Sequence, residues 1–332
     1  MLLSVMIRKV KVVILGSVLF LSACLFGEQM PPMPIATSTD MASSKATPSP
    51  TRENAATLVS PTSSITSTAL DIGSLKVSPI DGMTMVFVPA GEFLMGSTSE
   101  DPLADDDEKP QKRVYLDAFW IDQTEVTHAM YATFLNERGN QFEGGDTWLD
   151  ADDPAVRLKY IEGLWQPEIG YEDHPVIEVN WFGAGAYCEW VGRRLPTEAE
   201  WEKAARGTDG RNYPWGEGEP EVVQVSCDQA NFAGCEFDTR SVGRNLAFAS
   251  PYGVLDMSGN IAEWVADWYD ADYYEKATSK NPQGPVTGTY RVMRGGSWSR
   301  NFRLSRTASR DRSVPEFACF YNGEGFRCAD SP

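Results

Sequence analysis

Few residues in this chain are suited to chemistry, and their spacing says as much as their types. Two histidines, His128 and His174, stand far apart among 332 residues, and His174 precedes Pro175. A three-nitrogen centre for a redox metal cannot be assembled from them, so both read as structural. Six cysteines are present, at 24, 188, 227, 235, 319 and 328. None falls in the run from Ser297 to Arg306, which reads Ser-Trp-Ser-Arg-Asn-Phe-Arg-Leu-Ser-Arg. Gly295-Gly296-Ser297 lacks the strand–elbow–helix setting that exposes a serine nucleophile. Cys319 would be a reactive thiol only if a cation lowered its pKa; Arg312 and Arg327 are the nearby candidates, and an inert or disulfide-exchanged thiol is the plainer reading.

Two stretches suit binding rather than bond-making. Asp256 to Glu263 alternates carboxylate, glycine and backbone carbonyls in a turn-rich run, which suits Ca²⁺ with its six to eight hard oxygen ligands; the same polar groups could equally cap turns. Further on, Trp298, Phe302, Phe317, Phe320 and Tyr321 interleave with Arg300, Arg303, Arg306, Arg310 and Arg312. Arginine and aromatic side chains anchor binding sites, and arginine forks match carboxylates. A ligand site for an acidic glycan or a carboxylate-bearing peptide is one reading. Internal pairing of these arginines with Asp and Glu is the other.

The carrier of these residues is acidic. A net charge of −18 would move to about −21 on removal of residues 1–23, which hold Arg8, Lys9 and Lys11 and no acid. Phosphate backbones would repel such a chain, so no nucleic-acid partner is expected. The N-terminus has a basic start, a short apolar run from Val12 to Leu21, and then Leu21-Ser22-Ala23-Cys24. That pattern describes a secretory signal, and its end is similar to the bacterial lipobox, with Cys24 as the lipidated residue. The expected location is the extracytoplasmic face of a bacterial cell envelope, with the lipid as the membrane partner. From residue 24 to 74, Ser, Thr, Pro and Ala dominate, the composition of a disordered tether. All ten tryptophans lie beyond it, so residues 75–332 form the single folded unit. In an oxidising compartment its cysteines should pair. Cys227 and Cys235 could staple one loop. Cys188–Cys328 and Cys319–Cys328 are both open as the long-range bridge.

The elements that must position these groups are short. Met83–Phe93 reads as strand, turn and strand, and Arg113–Ile121 as a further strand. Thr124 offers an N-cap to a helix through His128, Tyr131 and Phe134. Trp181–Val191 reads as a second helix. Thr197 and Glu200 stand in capping-box spacing, which starts a third helix over about 198–206. Beyond it Gly, Pro, Asn and Asp punctuate the chain, and loops with short strands are expected.

The run Met85-Val86-Phe87-Val88-Pro89-Ala90-Gly91-Glu92-Phe93, with Met95-Gly96-Ser97, Thr124-Glu125-Val126-Thr127, His174-Pro175-Val176 and Tyr187-Cys188-Glu189-Trp190, resembles the formylglycine-generating enzyme, or sulfatase-modifying factor, family. Arg194-Leu195-Pro196-Thr197-Glu198-Ala199-Glu200-Trp201, Tyr213-Pro214-Trp215-Gly216, Arg291-Val292-Met293-Arg294-Gly295-Gly296-Ser297-Trp298 and Gly325-Phe326-Arg327-Cys328 extend the likeness in family order. The resemblance implies an α+β fold: one compact loop-rich domain related to C-type lectins, with the Cys188–Cys328 bridge favoured. It implies one structural Ca²⁺ held by Asp256, Glu263 and the Gly259 and Ile261 carbonyls. A second would use Asn231, Asp238 and the Phe232 and Arg240 carbonyls. It also implies that the family's copper-binding cysteine pair, which oxidises a substrate cysteine, belongs between Ser297 and Arg306, where this chain has none and is about three residues shorter. Ser297 and Arg310 would be residues of the remaining pocket, and Ala262 replaces a tryptophan. No copper or iron site is expected. A ligand-binding or scaffolding lipoprotein is the leading expectation, with Trp298, Arg300, Phe302, Arg303 and Arg306 as its ligand residues. A divergent oxidoreductase acting on a peptide or siderophore-like precursor without the cysteine pair is the alternative.

Overall fold

A computed structural model describes residues 70–216, 225–316 and 323–332. The signal segment with Cys24, nearly all of the tether, and Phe317, Cys319, Phe320 and Tyr321 lie outside them. Strands β1 (Leu75–Val77), β2 (Thr84–Val88), β3 (Gly91–Met95), β4 (Lys112–Leu116) and β5 (Phe119–Asp122) open the domain. The expected strand over 113–121 is thus two strands. It breaks at Asp117, whose N–H donates to Asn281 Oδ1 at 2.9 Å, and the two halves then serve different partners, β4 pairing with β3 and β5 with β2.

Helix α1 (His128–Arg138) starts three residues later than the Thr124 cap predicts: Thr127 accepts the Met130 N–H instead. The reason is long-range. Val126 donates to the Phe326 carbonyl and accepts from Val176 N–H, holding residues 124–126 extended. Two small hairpins follow, β6 (Phe142–Glu143) with β7 (Asp146–Thr147), and β8 (Leu158–Ile161) with β9 (Leu164–Pro167). Helix α2 (Trp181–Trp190) is capped by Asn180, and α3 (Glu198–Arg206) carries the full Thr197/Glu200 capping box read from the sequence.

The remainder is loop-rich: β10 (Ala262–Trp268), the one-turn helix α4 (Tyr273–Lys276), β11 (Arg291–Arg294), β12 (Asp311–Ser313), β13 (Glu324–Phe326) and β14 (Ala329–Asp330). Among the described residues two four-stranded sheets result, in the orders β1-β2-β5-β14 and β12-β11-β10-β13, with β10 and β13 parallel. One apolar cluster joins α1 and α2 through Tyr131, Phe134, Tyr187, Trp264 and Phe326. A second packs α3 through Trp201 against Val86, Phe93, Ile121 and Val292. Cys188–Cys328 ties α2 to the chain end, and Cys227–Cys235 closes a loop.

Candidate functional site

β11 delivers the chain to Gly295-Gly296, where positive φ values of 92° and 69° turn it sharply. A Cβ on Gly296 would lie 2.9 Å from the Leu304 backbone, so only glycine lets the following segment fold back this closely. That segment is a 3₁₀ turn, Phe302–Ser305, capped by Asn301. Ser297 is buried, with its Oγ 3.2 Å from Ser299 Oγ. The void left between Ala262, Met293, Gly295, Gly296, Arg300 and Leu304 is about 10 Å³, room for roughly one water. Where the resemblance puts a thiol pair, this segment has no cysteine.

The arginines there divide by direction. Arg306 is 1% exposed and forks onto Glu108 at 2.8 and 2.6 Å, so it is a core ion pair rather than the ligand residue expected. Arg310, assigned to a residual pocket, is spent in the same way: it grips Glu198 and donates to the Asp107 and Asp270 carbonyls. Desolvation is the main influence on both and works against their charge, yet their carboxylate partners raise the pKa above the usual arginine value. Phe302 packs on Phe232 at 5.9 Å. Arg300 is half-buried, bridging Asp311 at 2.9 Å. Arg303 and Arg312 reach solvent, Arg312 lying over the Tyr269 ring at 4.4 Å. Of the expected ligand residues, Trp298, Arg300, Phe302 and Arg303 therefore remain at or near the surface.

Neither histidine is poised for chemistry. His128 Nδ1 contacts the His174 carbonyl at 3.1 Å, and burial lowers its pKa to about 4. His174 Nδ1 contacts Thr239 Oγ1 at 2.9 Å, and burial lowers its pKa also.

The two loops expected to hold calcium do meet. Asn260 N–H donates to the Asn231 carbonyl at 2.8 Å, and Asn260 Oδ1 accepts from Arg240 N–H at 2.8 Å. A Cβ on Gly259 would come within 2.3 Å of the Asn231 carbonyl oxygen, so this crossing needs glycine. For a hard cation the fit is partial. Among the described residues, Asn231 Oδ1 is buried without a partner, as is Glu125 Oε2 close to Asp256. Burial first, then Asp256, pushes the Glu125 carboxyl well up. Glu263, however, is fully engaged by the Arg327 fork at 2.7 Å and by Trp201 Nε1 at 2.8 Å. Asp238 accepts from Tyr171 Oη at 2.6 Å. An ion here would rest on Asn231, Asp256 and loop carbonyls more than on Glu263 or Asp238. Such an ion holds loops together; it supplies no chemistry of its own.

A further buried group had escaped the sequence reading. Glu178, at φ 58°, is 0% exposed and neither carboxyl oxygen has a partner among the described residues. Burial, then Glu324, pushes its pKa up to about 10; burial likewise pushes Glu324 to about 7. Val-Ile-Glu-Val looks like an ordinary half-buried strand, so only the positive φ, invisible in sequence, marks the position.

Comparison with known proteins agrees with this geometry. Residues 73–332 match the sulfatase-modifying factor enzyme 1-like domain. The formylglycine-generating enzyme of Thermomonospora curvata is 33% identical over 288 residues, covering 75% of this chain and 93% of that one. The serine/threonine-protein kinase pkn1 of Chlamydia caviae is 38% identical over 250 residues, 74% of this chain, but the match spans only 37% of the kinase. Among solved structures, PvdO from Pseudomonas aeruginosa superposes with a TM-score of 0.65 at 26% identity, over 80% of this chain and 100% of its own. With its motifs in order, its Cys188–Cys328 bridge in place and its folded part matched end to end, this chain belongs to the sulfatase-modifying factor family.

Proposed function

We propose that this chain is an extracytoplasmic lipoprotein whose sulfatase-modifying-factor domain binds or scaffolds a ligand rather than oxidising a cysteine. The observation that carries the reading is the make-up of the Ser297–Arg306 segment. It contains no cysteine and turns Arg306 inward onto Glu108. Trp298, Arg300, Phe302 and Arg303 are the surface it offers to a peptide or acidic glycan. Calcium is the proposed ion of the Asn231–Asp256 loops, supported by the unpartnered Asn231 Oδ1. Cys24 is the proposed anchor, placing the domain on the outer face of a membrane in the bacterial envelope. Metabolic labelling with a clickable fatty acid tests the anchor: label should enter the full chain and vanish in Cys24→Ala, and label persisting in the variant would refute it. Arg303→Ala should weaken retention on a peptide or glycan array without changing the melting temperature; unaltered binding of every hit would refute the ligand face. A second reading, an oxidoreductase without the thiol pair, is favoured by the 33% identity to the formylglycine-generating enzyme of Thermomonospora curvata and by the buried Ser297 kept in its motif.

A further inference from the structure

Lys203 stands in the last turn of α3 and is 1% exposed. Burying a cation is costly unless a carboxylate offsets it. The buried arginines of this domain follow that rule: Arg206, Arg294, Arg306, Arg310 and Arg327 each hold a carboxylate at 2.5–2.8 Å. Lys203 is different. Its Nζ donates to the Pro89 and Gly91 carbonyls at 2.7 and 3.0 Å, and among the described residues no charged partner opposes its desolvation, so burial lowers its pKa to about 8. The charged groups around it are committed elsewhere. On α3 itself, Glu202 is taken by Arg206 and Arg294. On β3, Glu92 is exposed and 3.8 Å from Arg113. From the 251–252 loop comes only the Tyr252 phenol, whose pKa burial raises to about 12. An ammonium has three N–H donors, and the two carbonyls take two of them.

Lys203 also lines a cavity of about 170 Å³ between the β2–β3 turn, the end of α3 and residues 251–252. Tyr252 is buried beside it, whereas Ile72, Ala90 and Pro251 are exposed around the opening. The space equals about five or six water volumes, so it suits a small molecule. Its walls are chiefly hydrocarbon, from Ile72, Pro89, Pro251 and the Tyr252 ring, with one cationic group among them. Sites for small ligands are built in this way, from apolar walls and a few placed polar groups. Charge and wall chemistry together narrow the class. An inorganic anion would meet Lys203 but leave the walls uncovered. A dianion would carry its second charge toward Glu92. A single carboxylate on an apolar body satisfies both the cation and the walls.

We propose that this cavity binds a small monocarboxylate with an apolar body, its carboxylate accepting the third Lys203 N–H and supplying the missing ion pair. The site shares no residue with the Trp298–Arg303 face or the Asn231–Asp256 loops and depends on neither. The full chain, in calcium-containing buffer, is to be mixed with sodium benzoate and sodium hexanoate, with benzamide as the uncharged match. Ligand-observed saturation-transfer NMR and titration then report binding. At least one acid should show transfer at neutral pH and benzamide none. Because the carboxylate pairs with the ammonium form, affinity should hold below about pH 8 and fall about tenfold per pH unit above it, where an exposed lysine would still be charged. Lys203→Met should abolish binding. Ile72→Asp, on a side chain 65% exposed, sets a like charge at the opening and should weaken binding several-fold with the melting temperature unchanged. If Lys203→Met fails to fold, Ile72→Asp and the pH profile decide. Absence of transfer from both acids, equal transfer from benzamide, an affinity flat from about pH 7 to 10, or binding indifferent to the variants overturns the proposal.

Discussion

Replacing Glu178 by glutamine should make the protein more stable in alkaline than in acidic buffer, relative to the wild type. The Glu178 carboxyl is fully buried, has no hydrogen-bond partner among the described residues and faces Glu324, with Asp153 and Asp150 nearby. Its proton is therefore kept to about pH 10, against 4.5 in an unfolded chain. Between those values the native state binds more protons than the unfolded one, so this contribution is fully present below the unfolded value and lost as pH rises through the folded one. Each pH unit in that window costs about 1.4 kcal/mol, so Glu178 alone forfeits roughly 3 kcal/mol between about pH 5 and pH 7. For a domain of this size that is on the order of 10 °C in melting temperature. Glutamine has the same shape and never titrates. Melting curves of wild type and Glu178→Gln should nearly coincide at about pH 5 and diverge as pH rises, the variant melting higher. Parallel curves across the range would refute the reasoning and mean that Glu178 finds a partner in solution. Glu324→Gln should show the same sense with a smaller divergence, because its proton is lost at about pH 7.

Arg306→Met leaves Glu108 buried with only the Ser97 hydroxyl for company, and should lower unfolding free energy by about 3–5 kcal/mol; Arg303→Ala, at the surface, should stay within about 0.5 kcal/mol. Denaturant melts of both separate core from surface arginines, and equal losses would contradict the assignment. Removing the Cys188–Cys328 bridge, which closes a 140-residue separation, should cost about 5 kcal/mol, against about 2.5 for the eight-residue Cys227–Cys235 loop by the chain-entropy relation. Chelation should lower the melting temperature of the wild type by several degrees and leave Asp256→Asn unaffected; an unchanged wild type would count against the proposed calcium.

What could be read in advance follows from how local each signal is. The α3 start at Thr197 and the β2–β3 turn are decided by neighbours within three or four residues, so spacing announces them. The α1 start is not: Thr124 is a sound cap in isolation, but pairing of Val126 with residues 176 and 326 keeps it extended until Thr127. The arginine segment failed for the same reason. Arg303 and Arg306 look alike in sequence, and what separates them is Glu108, 198 positions away from Arg306. The family motifs carried the fold and the Cys188–Cys328 pairing. They could not show that Arg306 would turn inward onto Glu108.

We propose that binding has replaced thiol-dependent oxidation in this domain. Dissolved-oxygen uptake should be followed on purified full-length protein, loaded in turn with copper and iron, with a cysteine-containing peptide as substrate and bound metal counted in parallel. The account predicts no uptake above the metal-only control and no stoichiometric copper or iron, with any retained ion being calcium. Stoichiometric copper or iron accompanied by turnover of the peptide would contradict it.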